Sequence, residues 1–139
     1  MIDKQDFYHG AAILRVVEDA RCRSVNKLDI GFLVNQETFV YLKYRTKSRT
    51  PWNFQFGSDE IEHLNSTVER FPKIVIAFIC GGDGICGLSW LQVKELIANN
   101  AGWISCSRKF NEQYGVSGPN GNLKGKVSLQ QWPNIVFDE

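Results

Sequence analysis

Between Asp3 and Ala20 apolar residues return every third or fourth position: Phe7, Ala11, Leu14 and Val17 mark one face, and Ile13, Val16 and Ala20 widen it. That spacing predicts an amphipathic helix whose first-turn acids suit the positive end of the helix dipole. After a connector from Cys22 to Asn26 the period falls to two. Leu28 to Asn35 and Thr38 to Lys47 are apolar, β-branched and aromatic runs that read as strands of a hairpin turning at Asn35-Gln36-Glu37. In the second run Val40, Leu42 and Tyr44 share one side, and Phe39, Tyr41, Lys43 and Arg45 the other. Pro51, which has no amide hydrogen to donate, stops pairing before a third short strand, Trp52 to Phe56. Its alternation sends Phe54 and Phe56 to the core and leaves Trp52 at the margin.

Gly57 to Glu60 opens a second helix with Ser58 as N-cap; Ile61, Leu64, Val68 and Phe71 form its apolar face, and Pro72 ends it. Lys73 to Cys80 is almost continuously apolar, as befits a central strand covered on both sides. Ser89 and Gln92 have capping-box spacing for a third helix reaching about Asn99, with Gly102 as its stop signal. Further strands are expected at Trp103 to Ser107, Gln113 to Ser117 and Leu123 to Leu129, the last two flanking the turn at Gly118 to Gly121. The tail from Trp132 to Phe137 is aromatic enough to dock on the body. The expected fold is α/β in the mixed α+β sense: helix, three-strand meander, helix, central strand, then further strands and a third helix. It forms a single layer of sheet flanked by helices, and residues 1–139 make one globular domain.

Composition narrows the function classes. With 43% hydrophobic residues and a formal charge of +1, the chain is far from the charged, apolar-poor regime of disorder. Near-neutral charge also removes any global argument for nucleic acid or membrane, so electrostatic recognition has to be local. The polar start MIDKQDFYHG lacks a secretion signal, and no run is long and apolar enough to span a bilayer. A cytoplasmic protein with no membrane partner is expected. Cys22, Cys80, Cys86 and Cys106 are scattered without CxxC spacing and read as reduced thiols.

Several motifs fail on detail. Gly82-Asp83-Gly84-Ile85-Cys86-Gly87 matches G-x-G-x-x-G, but the helix cap at Ser89 lies beyond the last glycine, where its amides would miss a pyrophosphate. A hairpin turning at Asp83-Gly84 is the expected structure, with a small-molecule or protein-interaction role for residues 81–87 as an alternative. Gly125-Lys126 lacks the earlier glycine and the following hydroxyl of a P-loop. His63 and Glu60 share a helix side that reads as solvated, and His9 has no identifiable acid or nucleophile partner. No catalytic group, metal or cofactor is expected.

One signal remains. Lys43, Arg45, Lys47 and Arg49 stand at every second position, so an extended backbone would array them about 7 Å apart along one face. Such a comb is tolerable only when solvated or neutralised: it either protects an edge strand or meets phosphates. With Tyr41 and Trp52 offering π-faces beside it, the set Lys43, Arg45, Lys47, Arg49, Trp52 and Tyr41 is the expected nucleic-acid surface.

The order helix, meander, helix, strand over about Asp3 to Cys80 resembles the αβββαβ core of the PD-(D/E)XK nuclease superfamily. That resemblance implies a restriction-endonuclease-like fold in which an acid and an acid-x-Lys triplet hold Mg²⁺. Asp29 matches the first acid and Lys43 the lysine, while Tyr41 occupies the place of the second acid, which implies a degenerate site. The segments KYRTKSRTPWNFQF and CGGDGIC also look like those of small bacterial proteins, and that likeness implies no mechanism. A non-catalytic nucleic-acid-associated domain is therefore expected, with metal-dependent cleavage through Asp29 and Lys43 as the enzyme alternative.

Overall fold

The computed structural model describes residues 1–98 and 101–138. The class is mixed α+β, as the periodicity predicts, but the strands form two sheets instead of one layer. The first sheet contains β1 (Val25–Lys27), β2 (Phe32–Val34), β3 (Thr38–Arg45), β5 (Lys73–Cys80) and β6 (Gly84–Ser89), in the order β1-β2-β3-β5-β6. The second has β4 (Trp52–Phe56), β7 (Gly102–Ser107), β8 (Gly115–Gly118) and β9 (Gly121–Asn122), in chain order. Four helices complete the fold: α1 (Lys4–Glu18), α2 (Ser58–Arg70), α3 (Trp90–Leu96) and α4 (Gln131–Phe137).

The meander is thus made of β1, β2 and β3, antiparallel throughout, while the expected third strand, Trp52 to Phe56, pairs with β7 in the other sheet. The run Leu28 to Asn35 is not one strand, because residues 28–31 form a loop between β1 and β2. The turn after β2 has Asn35 and Gln36 at φ 54° and 61°, with Glu37 N donating to Val34 O at 3.1 Å. With Val34 paired to Thr38 the loop has three residues, Asn35 to Glu37, and Asn tolerates the left-handed conformation well. From β3 the chain crosses over through α2 and returns as β5, parallel to β3 from Thr38↔Lys73 to Arg45↔Cys80.

β5 is the central strand that its composition predicts. Ile74, Ile76, Phe78 and Cys80 enter a core shared with α2, α3 and the second sheet, and Val75, Ala77 and Ile79 enter a core shared with α1 and α4. Phe54 and Phe56 of β4 flank Phe78 in the first core, with ring centroids 4.9 and 6.0 Å away. Burying an aromatic of this size stabilises the fold by about 1.5–3 kcal/mol, which explains why β4 seals one core instead of extending the meander. The tail docks on the opposite side, where the Trp132 indole donates to Ala12 O at 3.1 Å.

Other expectations shift by small amounts with clear causes. Helix α2 starts at Ser58, so Gly57 holds the cap position and Glu60 Oε1 accepts from its amide at 3.2 Å. Val68 is 37% exposed, and Thr67 takes its place on the buried side, donating to His63 O. The Ser89–Gln92 capping box is present at both hydrogen bonds, 2.9 and 3.1 Å. Asn99, the expected helix end, lies outside the described residues, and Gly102 opens β7 instead of stopping a helix. Leu123 to Leu129 yields only a bridge, Tyr114↔Val127.

Helix α1 is where orientation departs most from expectation. It buries Ala12 and Val16, while Phe7, Leu14 and Val17 face outward. Small and β-branched side chains let the helix approach the sheet closely, and hydropathy alone does not choose between two apolar faces.

Candidate functional site

The two strands β2 and β3 differ in length. β2 pairs only with Thr38 to Val40, so β3 runs on from Tyr41 to Arg45 with its β2-side edge unpaired by a strand. Beside that edge lies a cleft of about 550 Å³. Gln5 and His9 of α1, Lys27, Asp29 and Phe32 of the first hairpin, Tyr41 to Arg45 of β3, and Gln55 and Glu60 line it. Strand alternation and tertiary packing thus bring Tyr41, Lys43 and Arg45 to one place together with Asp29, the acid matched by the nuclease-like resemblance.

Lys43 is neutralised inside the molecule. Its ammonium lies 2.7 Å from Glu60 Oε2, donates to Gln55 O at 2.5 Å, and sits 4.3 Å from the Phe56 ring centroid. The Tyr41 hydroxyl donates to the same Glu60 oxygen. Burial pushes the Tyr41 phenol well above its ordinary value, and the Glu60 contact adds to that shift, so the phenol stays a donor. Glu60 is the site residue that sequence reasoning placed elsewhere. It sits in the first turn of α2, where a carboxylate caps the helix, and its reach to β3 arises from the crossover geometry. His63, its supposed partner on one helix side, borders a different depression, with Thr67 and Arg70.

Arg45, Lys47 and Arg49 are exposed, and among the described residues none has a carboxylate partner. The comb is not one strand face, however: β3 ends at Arg45, and Lys47 and Arg49 belong to the loop leading to β4. That loop is anchored at several points. Arg45 O accepts from Gly81 N at 2.9 Å, Lys47 O accepts from the Trp52 indole at 2.7 Å, and Thr50 Oγ1 accepts from Arg108 N at 3.1 Å. A Cβ on Gly81 would come within 2.3 Å of Lys47 O, and its φ is +56°, so only glycine allows this approach.

Trp52 is not part of the surface. It is 2% exposed, with its ring edge-on to Tyr114 at 6.3 Å, so stacking on a base is sterically closed to it. Its N–H does find a partner, and through that bond it holds the loop that carries Lys47 and Arg49. The cleft has other aromatics, among them Tyr44, which stacks on Tyr8 at 5.1 Å and meets His9 edge-on at 5.8 Å. Burial, with Lys27 nearby, holds the His9 imidazole below its ordinary value, which favours its neutral form.

Protein closes over the glycine segment at Gly81, Gly84 and Gly87, while a Cβ at Gly82 would meet nothing within 4 Å. A Cβ at Gly84 would meet Leu129 at 2.7 Å and the Tyr114 hydroxyl at 2.9 Å, and one at Gly87 would meet Ile135 at 3.1 Å. Asp83 accepts from Arg108 at 2.6 and 2.8 Å and from the Tyr114 hydroxyl at 2.7 Å. The segment turns the β5–β6 hairpin and packs against its neighbours, among them Gln131 and Trp132 at the start of α4. Among the described residues no three His, Cys, Asp or Glu side chains are grouped to hold a metal ion, and no helix is long and apolar enough to cross a membrane. Comparison of the chain with protein-family models, with curated proteins and with solved structures gives no match.

Proposed function

We propose that this domain binds the phosphodiester backbone of nucleic acid along the unpaired edge of β3, with Arg45, Lys47 and Arg49 as the principal phosphate contacts and Tyr41 and Lys43 at the cleft floor. One observation carries the reading: three cations without carboxylate partners among the described residues follow one another from the strand end into an anchored loop beside an open cleft. Phosphate recognition needs this combination, charge that is accessible and a backbone that keeps it in place. Trp52 supports it as the anchor of the loop and makes no contact of its own.

Three phosphate contacts give a salt slope, log K against log[salt], of about −2.7 on duplex DNA, hence roughly a fortyfold loss of affinity between 50 and 200 mM salt. Replacing Arg45, Lys47 and Arg49 by Gln should abolish that slope and leave the melting temperature unchanged, since all three are exposed. Salt-independent or undetectable binding by the parent chain would overturn the assignment.

A second reading, metal-assisted phosphodiester cleavage, is favoured by one fact: Asp29, Glu60 and Lys43 line the same cleft. The donor set fits a metal poorly. Mg²⁺ binds through one or two carboxylates plus substrate phosphates, and Glu60 already serves Lys43, Tyr41 and the Gly57 amide. The expected result of a plasmid-nicking assay with Mg²⁺ or Mn²⁺ is therefore no cleavage. Nicking that both Asp29→Asn and Glu60→Gln remove would make the domain an enzyme.

A further inference from the structure

The outward face of α1 is apolar along the length of the helix. Phe7, Leu14 and Val17 are 63, 56 and 53% exposed, and Gly10 and Ala11 lie exposed between them. Single exposed apolar residues are ordinary, but spacing of 7, 10, 14 and 17 alternates three and four, the pattern of a helix–helix seam. We propose that a second copy of this chain covers this face, its α1 packed antiparallel to the first about a twofold axis.

Size and charge together select that occupant and that direction. With the helices parallel, each seam residue would meet its own copy: Gly10 would face Gly10 and leave a void. Flanking Glu18 would then face Ile13, and Asp6 would face Ala11. With the helices antiparallel, Phe7 faces Val17 of the other copy and Leu14 faces Gly10, large against small at each layer. The space above Gly10 is open, since a Cβ built there meets nothing within 4 Å. On the flank, Lys4, Ala11 and Glu18 recur at sevens, so the same register sets Lys4 against Glu18 of the other copy and Ala11 against Ala11. Neither Lys4 nor Glu18 has an ion-pair partner among the described residues, and the twofold supplies one to both, twice over. A self-complementary patch of this kind is what an isologous dimer requires.

The seam runs along a 15-residue helix, about 22 Å long at 1.5 Å per residue. A stable interface removes about 800 Å² per partner, close to a tenth of the chain's 8183 Å² of surface. The seam with its flanking rim would supply the centre of such a contact. The inference does not depend on phosphate binding, because the seam residues lie on the side of α1 away from the cleft-lining Gln5 and His9.

Sedimentation velocity over about a hundredfold range of concentration should show a monomer–dimer equilibrium for the parent chain. Leu14→Glu should weaken dimerisation at least about a hundredfold, by placing a charge in the seam, with a circular dichroism melt equal to the parent's at concentrations where the parent is monomeric, because the position is exposed in the monomer. Phe7→Lys provides the same reading should that variant fold poorly. Lys4→Glu should weaken the dimer, and adding Glu18→Lys should restore it. Ala11→Cys should crosslink the parent dimer through a disulfide under mild oxidation by glutathione disulfide. A parent that stays monomeric throughout, or a dimer that neither Leu14→Glu nor Phe7→Lys disturbs, overturns the proposal. Failure of the charge swap to restore the dimer overturns its antiparallel register.

Discussion

Lys43 and Arg45 stand two positions apart on one strand, yet only Arg45 is available to an external anion. Glu60 neutralises Lys43, and it does so with the oxygen that also accepts from Tyr41. Removing the carboxylate charge should therefore release a fourth cation to bound phosphate. Glu60→Gln is expected to steepen the salt slope by about 0.9, from about −2.7 to about −3.6. An unchanged slope in titrations from low to high salt would mean that Lys43 stays committed to Gln55 O and the Phe56 ring. At this scale the sequence reveals residue type and strand face, which is why Tyr41, Lys43 and Arg45 were recognisable as neighbours on one face of a strand. It does not reveal reach across elements: Glu60 is far from Lys43 in the chain, and its helix-capping position gives an adequate local reason for its presence.

Among the elements, β5 was legible to the residue, since a continuous apolar run leaves few alternatives, but the hairpin after it turns at residues 81–83 instead of at Asp83-Gly84, and β6 runs on to Ser89. The two cysteines of the hairpin lie on one side of it but diagonally, because Cys80 pairs with Gly84 and Cys86 with Phe78. Cys106 of β7 joins them in the same core, and its contacts with the Cys80 and Cys86 thiols, together with burial, push its own thiol far above the ordinary value. Thiolate reactivity is suppressed in such a place. Ellman's reagent should consequently titrate one thiol in the native protein, the partly exposed Cys22, and four after denaturation. Rapid reaction of more than one would show that the second sheet opens readily. The elements β4 and α1 were legible in kind and extent but not in placement. Alternation in WNFQF declares one buried face without saying which sheet receives it, and α1 carries two apolar faces of which packing buries one.

The two sheets are tied at one end of the molecule by Asp83 in the turn after β5, Arg108 just beyond β7 and Tyr114 before β8. The Arg108 guanidinium, helped by the Tyr114 hydroxyl, holds the Asp83 carboxyl below its ordinary value, although partial burial opposes this. A carboxyl depressed in the folded state adds stability that is complete above the unfolded value, near pH 3.9, and is lost as pH falls through the folded value beneath it. Melting temperatures of Asp83→Asn should thus lie below those of the parent at pH 7, and the gap should narrow as the pH is taken below about 4. Parallel curves down to pH 2.5 or so would remove Asp83 from the acid limb of the protein's stability. This tie joins residues 25 and 31 positions apart across two sheets, and the sequence offers no signal for it beyond three polar side chains near turns.

The cleft owes its existence to a strand that starts late: β2 begins at Phe32, opposite Val40, while β3 continues to Arg45. It lies where strand pairing is missing, and one member of each hydrophobic core, Phe54 and Leu42, lines it. Its far wall includes the loop of residues 28–31, closed on itself by Leu28 N donating to Gly31 O at 2.8 Å and pinned where a Cβ on Gly31 would strike Val40 O at 2.5 Å. Only Asp29 in this loop is exposed, since Leu28 and Ile30 pack against the first core and Gly31 admits no Cβ, so an insertion beside Asp29 is the change that costs little free energy. The cleft could therefore diverge between descendants of this chain by changes at Asp29 alone, with the cationic edge and both cores inherited intact.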